Sequence, residues 1–413
     1  MRMLSGSAAE RRVETLARRH TQLAKVEKPA RRIVDAVRAR GDAALRGYAK
    51  RFDRLGTKQP FAVPPAEIEA GWALANPELR RALEHAAANI RAFAMRQKPR
   101  SWTFNRQSLS LGQIVQPLDA VGCYIPGGRY PLLSTVLMTV IPAQVAGVPR
   151  IAIVSPNPQP QILAAAGMLG IHEVYRVGGA QAIAALAYGT QSIPRVEKIV
   201  GPGNSYVTAA KKLVAFDCGI DFLAGPTEAM IVSHRGRADC IAADLLAQAE
   251  HDPEALSVFV TASQALAKRV ARRVKGMAQD NPTAQAAFRN QGCILLARNP
   301  RQAIDWANRI APEHITVESD FISEIRNAGS IFVGDYSAQA AGDYASGPNH
   351  VLPTAALART RAGLSVLDFV KVITVQHASR TGLEQIARTI ITLAEAEGLT
   401  AHANSIRIRC SCA

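Results

Sequence analysis

Gln248 and His251 lie three positions apart near the end of an apolar-periodic segment, residues 244–253, which Pro253 terminates. On a helix with about 3.6 residues per turn, the two side chains share one face and can aim lone pairs at the same point. This spacing is typical of half a metal site. A lone Gln and His at a helix end are also common as surface residues or as a cap, so a site needs ligands from elsewhere.

Three later segments carry acidic and imidazole side chains. They are Pro312-Glu313-His314, the run from Gly342-Asp343-Tyr344 to Asn349-His350, and the stretch from Glu397 to His402. Glu313 and His314 could form a proton-transfer pair, or be two exposed polar groups where a helix or strand starts. Asp343 and His350 fall in a segment with neither helical nor strand periodicity, which predicts an ordered loop of the kind that often carries function.

One metal site could draw on several of these segments. Glu397 and His402 flank a helix end, where a capped terminus is the alternative interpretation. An amide oxygen is an unusual ligand, but with two imidazoles and a carboxylate it would suit zinc with open positions for a substrate. The candidate ligands are Gln248, His251, Asp343 and His402.

The composition indicates an ordinary globular protein. With 413 residues, 48% hydrophobic and 20% charged, the chain can bury a large core and form two or three domains. The apolar stretch from Pro131 to Val148 contains Ser134, Thr135 and Gln144, which favours a buried helix over a membrane span. The start does not resemble a signal peptide, and the cysteines are scattered apart from Cys410-Ser-Cys412, interpreted as an incidental tail. We therefore expect a cytoplasmic protein with no membrane partner.

The net charge of +16 is concentrated near the N-terminus, where residues 1–58 carry 16 Lys and Arg against 6 Asp and Glu. These charges follow helical patterns, so we interpret them as a solvated helix face that could also attract an anionic cofactor. Aromatic residues make up only 5% and do not interleave with the basic helices, which argues against a nucleic-acid-binding protein.

From Val115 onward, short Val- and Ile-rich runs alternate with helical segments, which predicts parallel strands joined by helices. The pattern occurs twice, on either side of Gly225-Pro226. We expect an α/β protein with two Rossmann-like, doubly wound lobes, an N-terminal helical extension and a small C-terminal segment. The expected bounds are 1–22 for the extension, 23–123 plus 228–360 for a discontinuous lobe, 124–227 for an inserted lobe and 361–413 for the C-terminal segment.

Three glycine-rich turns follow strands of the first series: Gly127-Gly128, Gly178-Gly179 and Gly201-Pro-Gly203-Asn204. Each marks the handover from strand to helix, where backbone amides and a positive helix end could bind an anionic ligand or nucleotide. None matches G-x-G-x-x-G, and Ser155-Pro-Asn-Pro stands where an acidic residue would hold a ribose.

At these residues the chain resembles the histidinol dehydrogenase family, from about residue 20 to residue 408. The matching segments, in order, are YIPGG, STVLMT, VGGAQAIAALAYGT, KIVGPGN, AGPTE, LLAQAEH, APEH, AGDYASGPNHVLPT and LTAHANS. The resemblance implies a zinc-dependent NAD enzyme that oxidises L-histidinol to L-histidine, the last step of histidine biosynthesis, in two hydride transfers through an aldehyde. It also implies a homodimer in which the C-terminal segment completes the partner's site.

The resemblance assigns roles to particular residues. One zinc ion per subunit falls to Gln248, His251, Asp343 and His402, and the acid-base pair to Glu313 and His314. Substrate contacts fall on Thr227, His350 and Glu397, together with the zinc ligands and His314, and NAD contacts on Tyr124, Gln181 and Asn204. By the same resemblance, Glu397 and His402 reach the neighbouring subunit's site.

Two departures from the family pattern leave alternatives open. Thr227 stands where the family commonly has Ser, and Gly128-Arg129-Tyr130-Pro131 stands where many members have small residues. An Arg beside the cofactor turn would suit a related zinc and NAD dehydrogenase of a sulfonated or other polar alcohol. A zinc hydrolase, using Glu313 and bound water without a dinucleotide, is the alternative from a different class.

Overall fold

The computed structural model describes residues 1–106, 108–127 and 131–411. Its strands are β1 Arg2–Ser5, β2 Trp102–Arg106, β3 Leu109–Pro117, β4 Ala120–Tyr124, β5 Arg150–Val154, β6 Glu173–Tyr175, β7 Lys198–Val200, β8 Gly219–Ile220, β9 Glu228–Val232, β10 Leu256–Thr261, β11 Cys293–Leu296, β12 His314–Val317, β13 Ser330–Val333 and β14 Val370–Ala378.

The helices are α1 Gly6–Ala17, α2 Ala24–Arg40, α3 Asp42–Tyr48, α4 Pro65–Leu74, α5 Pro77–Gln97, α6 Leu133–Ala146, α7 Pro160–Met168, α8 Gly179–Tyr188, α9 Ser205–Val214, α10 Ala238–Ala249, α11 Gln264–Met277, α12 Pro282–Asn290, α13 Pro300–Ile310, α14 Gln339–Tyr344, α15 Arg380–Ala396 and α16 Thr400–Ser411. A π-helical turn, Ala49–Asp53, follows α3. The chain forms two units, Met1–Gln97 with Asp119–Phe369, and Lys98–Leu118 with Val370–Ala413.

The first unit contains a six-stranded parallel sheet in the order β1-β11-β10-β9-β12-β13. Successive side chains of a strand point to opposite faces. On one face Met230 and Val232 pack with α1 and α13, whereas Ile231 on the other face packs with α10, α11 and α12. Because both faces are covered, the central strands are continuous apolar runs, as parallel sheets require.

A second parallel sheet in the same unit has five strands in the order β6-β5-β4-β7-β8. Helix α6 is buried along nearly its whole length, which agrees with the expectation of a buried helix from Pro131 to Val148. Helices α2, α8 and α9 share one hydrophobic cluster with strands of this sheet. Together the sheets confirm the predicted α/β class with parallel strands.

The second unit is an antiparallel sheet in the order β14-β3-β2, followed by the adjacent helices α15 and α16. Strand β14 pairs with β3 along its full length, from Val370 opposite Pro117 to Ala378 opposite Leu109. Large apolar side chains of this unit stay exposed, among them Trp102, Phe104, Ile373 and Leu393.

The N-terminal region differs from the helical extension expected for residues 1–22. Residues Arg2–Ser5 form an edge strand that pairs in parallel with β11. A four-residue strand is too short to show alternation in the sequence, and its pairing partner lies almost 300 positions away. Helix α2, expected in the lobe that carries the zinc residues, instead packs on α8 and α9 of the five-stranded sheet. Within the described ranges, no helix has both the length and the apolar character needed to cross a membrane.

Candidate active site

Glu313 and His314 lie where β12 begins, next to the start of β9. His314 pairs in register with Ala229, so Glu313 lies beside Glu228. The backbone N–H of Glu228 donates to Oε2 of Glu313 at 2.8 Å, and the backbone N–H of Glu313 faces Oε2 of Glu228 at 3.3 Å. The cluster thus forms at the amino ends of two parallel strands, opposite to the carboxyl ends where ligands of such sheets usually bind.

His314 is buried between carboxylates. Its Nδ1 lies 3.3 Å from the carbonyl oxygen of Glu228 and 3.6 Å from Oε2 of Glu313, and its Nε2 lies 3.5 Å from Oδ1 of Asp343. Burial acts to lower the pKa of His314, but the negative charges of Glu313 and Asp343 outweigh it and raise the pKa to about 10. The imidazole is therefore strongly basic and held at both nitrogens.

Thr227 and Gln248 extend this cluster. The Thr227 hydroxyl lies 2.9 Å from Oε2 of Glu313 and 3.0 Å from Oε1 of Gln248. The amide nitrogen of Gln248, a buried side chain, donates to Oδ2 of Asp343 at 3.1 Å. The structure therefore joins Thr227, Gln248, Glu313, His314 and Asp343 in one set of contacts.

Two local expectations were wrong. Helix α10 ends at Ala249, so His251 lies in the turn after the helix that carries Gln248, rather than on its face. Asp343 lies in the short helix α14 rather than in a loop, because the six-residue helix is too short to show periodicity. Burial acts to raise the pKa of Asp343, but its hydrogen bond with His314 and the nearby side chains of His314, His350 and His251 lower it below its usual value.

His350 connects the site to helix α6 of the other sheet. Its Nδ1 lies 2.8 Å from the carbonyl oxygen of Asp343, and its Nε2 lies 3.4 Å from Oγ1 of Thr135. A cavity of about 360 Å³ is lined by His314, His350 and Phe332. The ring of Phe332 stacks on that of His314, with centroids 6.0 Å apart. The cavity offers space for a small ligand beside the imidazoles.

The three residues expected to contact NAD line one larger cavity of about 890 Å³ at the carboxyl edge of the five-stranded sheet. Tyr124 ends β4, Gln181 lies in the first turn of α8, and Asn204 caps α9 by accepting from the N–H groups of Tyr206 and Val207. Because the cap occupies the amide oxygen of Asn204, its NH2 group is the one that can face the cavity.

Three backbone amides in the glycine turns around this cavity already have side-chain partners, which differs from the expectation of free amides at these positions. The N–H of Gly178 donates to Asp53, that of Gly179 donates to the Tyr124 hydroxyl, and that of Gly201 donates to Asp221. These amides are already satisfied by side chains. The turn residues Gly128, Arg129 and Tyr130 lie outside the described residues, as does Cys412.

The sequence analysis did not identify Arg19 and Glu228, which support the acid-base pair. Arg19, interpreted as part of a solvated helix face, forms an ion pair with the buried Glu228 and also donates to the carbonyl oxygen of Ile310 at 2.6 Å. Glu228 in turn accepts from the backbone N–H of Ala355 at 2.8 Å. A pair separated by about 200 positions leaves no local signal, although Glu228 stands in the AGPTE segment.

Glu397 and His402 belong to the second unit, whereas the residues of the cluster above belong to the first. Glu397 caps the end of α15, and His402 lies exposed in the first turn of α16. Across the described residues, no group of three or more His, Cys, Asp or Glu side chains is arranged to hold a metal ion. The four zinc ligands expected from the sequence differ from such a group, because they include the amide of Gln248 and, from the second unit, His402.

Comparisons with known proteins identify the family of this chain. A family model described as histidinol dehydrogenase matches residues 16–410. The histidinol dehydrogenases of Methanothermobacter thermautotrophicus and Rhizobium meliloti are 48% and 46% identical over 396 and 393 residues. These alignments cover 92% of this chain in both cases, and 92% and 91% of the relatives. The crystal structure of histidinol dehydrogenase from Elizabethkingia anophelis superposes with a TM-score of 0.94 at 34% identity, covering 99% of this chain and 98% of that one. The chain belongs to the histidinol dehydrogenase family.

Proposed function

We propose that this protein oxidises L-histidinol to L-histidine through the aldehyde, reducing two NAD, as the last step of histidine biosynthesis. The observation that carries the proposal is the buried Glu313–His314 pair, which lies beside a small cavity and contacts Asp343 and, through Thr227, Gln248. An alcohol oxidation of this kind needs a base for the hydroxyl proton and an acceptor for the hydride. The pair supplies the base, and NAD is the acceptor.

His314 accepts the hydroxyl proton while the carbinol hydride moves to NAD. Its Nδ1 faces the carbonyl oxygen of Glu228, which can only accept, so Nδ1 keeps its proton. Its Nε2 faces Asp343, whose charge favours a second proton there. Zinc held by Asp343 would offset that charge and leave Nε2 with a lone pair for the hydroxyl proton. In the second half of the reaction, Glu313 removes a proton from water as the water attacks the aldehyde. His314 then deprotonates the resulting hydrate as the second hydride leaves.

The donor set around Gln248 supports a zinc site. The Thr227 hydroxyl has one proton but lies within hydrogen-bonding distance of two acceptors, Oε1 of Gln248 and Oε2 of Glu313. Rotating the Gln248 amide by half a turn lets its NH2 donate to Thr227, whose proton then serves Glu313. After this rotation the amide oxygen would lie 3.1 Å from Oδ2 of Asp343, at the present position of the amide nitrogen. The two oxygens would repel each other, and a cation bound between them would offset that repulsion.

In this proposal zinc is held by Gln248, His251, Asp343 and His402 of the partner subunit, one ion per subunit. A zinc ion held there would bind the amino and imidazole nitrogens of the substrate and so orient its carbinol carbon. Thr227, His350 and the partner subunit's Glu397 complete the substrate contacts. The exposed apolar side chains of the second unit support a homodimer, because such patches commonly mark interfaces.

Tyr124, Gln181 and Asn204 are proposed to bind NAD in the larger cavity, whose volume is adequate for a dinucleotide. A cytoplasmic location is also proposed. The five cysteines that the structure describes are free thiols, as is usual in a reducing compartment.

The test is a kinetic assay of NADH formation by the purified protein with L-histidinol. We expect two NADH per L-histidinol, loss of activity on chelation and recovery with zinc. A parallel assay with 2,3-dihydroxypropanesulfonate separates the sulfonated-alcohol alternative, and bond hydrolysis without NADH would identify a hydrolase. No NADH from L-histidinol under zinc-replete conditions would reject the proposal.

A further inference from the structure

Asp53 is a buried carboxylate in the wall of the larger cavity, and nothing in the chemistry above uses it. It ends the π-helical turn Ala49–Asp53, after which Arg54 adopts a left-handed conformation with φ of 58°. Single π-helical turns are frequent at functional sites. The turn carries Asp53 to the start of α8, next to Gln181.

One oxygen of Asp53 makes both of its hydrogen bonds. Oδ2 accepts from the backbone N–H of Gly178 at 3.1 Å and from Nε2 of Gln181 at 3.0 Å. A carboxylate only accepts hydrogen bonds, so the nitrogen end of the Gln181 amide must face Asp53. The carbonyl oxygen of Gln181 is therefore the end left for the cavity.

The charge of Asp53 is costly to bury. Burial raises the pKa of Asp53, whereas the hydrogen bonds from Gly178 and Gln181 lower it. The contact with Gly178 fixes the backbone at the N-cap position of α8, and a neutral acceptor would be enough for it. The second contact, with Gln181, is not needed to hold that backbone.

We propose that Asp53 is a positioning residue for the dinucleotide, which fixes the Gln181 amide so that its carbonyl oxygen faces the cavity. The bound cofactor must then offer a hydrogen-bond donor at that point, such as a ribose hydroxyl or the nicotinamide NH2. This inference rests on the proposed use of the cavity for NAD. Without Asp53, the amide can turn either end towards the ligand and loses part of its binding energy.

The test compares Asp53→Ala with the matched variant Asp53→Asn. Asp53→Ala raises KM for NAD about tenfold and leaves kcat and KM for L-histidinol within about twofold, because the lost contact orients a cofactor ligand only. Asp53→Asn keeps KM for NAD within about threefold, since its single carbonyl oxygen can accept both bonds. In a Gln181→Ala background, Asp53→Ala adds less than about twofold, because the two residues act as one unit.

An equal effect of Asp53→Ala with and without Gln181 would overturn the proposal in favour of a purely structural role at the start of α8, as would a fall in kcat at unchanged KM for NAD. If Asp53→Ala does not fold, the decision passes to Gln181→Glu, which sets two carboxylates together and raises KM for NAD. Adding Asp53→Asn then restores binding if the pair acts as proposed, and leaves it impaired if it does not. Titration of each variant with NADH by fluorescence gives the same comparison independently of turnover. An inactive wild type that still binds NADH would therefore reject the reaction but not the role of Asp53.

Discussion

The Thr227 hydroxyl connects the acid-base pair to the proposed metal ligands. It lies between Oε2 of Glu313 and Oε1 of Gln248, at 2.9 Å and 3.0 Å. A serine would place a hydroxyl at the same point, so the departure from the family pattern keeps the polar contact and adds one methyl group. The contact explains why a hydroxyl residue stands here: without it, both Glu313 and Gln248 would lose a partner in a buried site.

Replacing Glu313 by Gln should damage aldehyde oxidation more than alcohol oxidation. The amide keeps the size of the side chain but cannot take a proton from water, whereas His314 remains able to serve the first step. We expect a loss of about 10² to 10⁴ in the rate of the second step. Stopped-flow measurement of NADH formation from L-histidinol and from the aldehyde separates the two. Equal losses in both steps would contradict this division of roles.

The neighbouring strands β9 and β12 position the residues of the site. A salt bridge connects the first residue of β9 to Arg19, just after helix α1. Arg19 pairs with Glu228 and donates to the carbonyl oxygen of Leu16 at 2.7 Å, while Glu228 contacts the backbone of Glu313. The side chain of Glu228 is only 5% exposed. Because a buried carboxylate without a partner is costly, the pair ties the acid-base residues to the N-terminal element.

Replacing Arg19 by Met should therefore lower the free energy of unfolding by about 3 kcal/mol, since it leaves Glu228 buried without its cation. The neighbouring exposed residue provides a control: Arg18→Met should change stability by less than about 0.5 kcal/mol. Urea unfolding followed by circular dichroism measures both. Equal stability of the two variants would show that Glu228 does not depend on Arg19.

Helix α10 carries Asp244, a carboxylate whose charged form is destabilised by burial. Burial raises its pKa to about 6, although a hydrogen bond from the backbone of Gln339 lowers it. The proton is thus bound more tightly in the folded protein than in the unfolded chain. Burying the Asp244 charge therefore lowers the free energy of unfolding. The full reduction applies above about pH 6, and it disappears as the pH falls toward about 4.

We expect Asp244→Asn to stabilise the protein at pH 7.5 by about 1 kcal/mol, a value reduced to allow for the water that reaches this partly exposed side chain. The gain should shrink as the pH falls and approach zero near about pH 4. Thermal unfolding of both proteins across this pH range measures it. A gain that does not change with pH would exclude the carboxylate charge as its cause.

The sequence predicted the strands and helices better than it predicted which of them lie next to each other. The β-α alternation predicted most strands of both parallel sheets, because buried strands are apolar runs bounded by turn residues. It could not predict that β9 lies between β10 and β12, since strand order depends on long-range pairing. For the same reason the contacts of Glu228 with Glu313, and of Asp53 with Gln181, appeared only in the structure. Family resemblance, rather than periodicity, selected Thr227 and Asn204.

The small second unit exposes apolar side chains at the scale of the whole molecule. Strand β14 is exposed along nearly its whole length, including Val372, Ile373 and Val375. Glu397 and His402 belong to this unit. A homodimer would bury the apolar surface, and it would give these two polar residues a role in the neighbouring site.

Subunit mixing tests this arrangement. His314→Asn and His402→Ala should each be inactive alone. If His402 serves the neighbouring site, a mixed dimer contains one intact site, because the His402→Ala subunit keeps its own His314 and receives His402 from its partner. Random reassociation makes about half of the dimers mixed, so about a quarter of the wild-type activity should return. Mixing His314→Asn with Glu313→Gln is the control and should restore nothing, since both changes damage the site of the subunit that carries them. No recovery in the first mixture, with mixed dimers verified by differently tagged subunits, would show that His402 acts within its own chain.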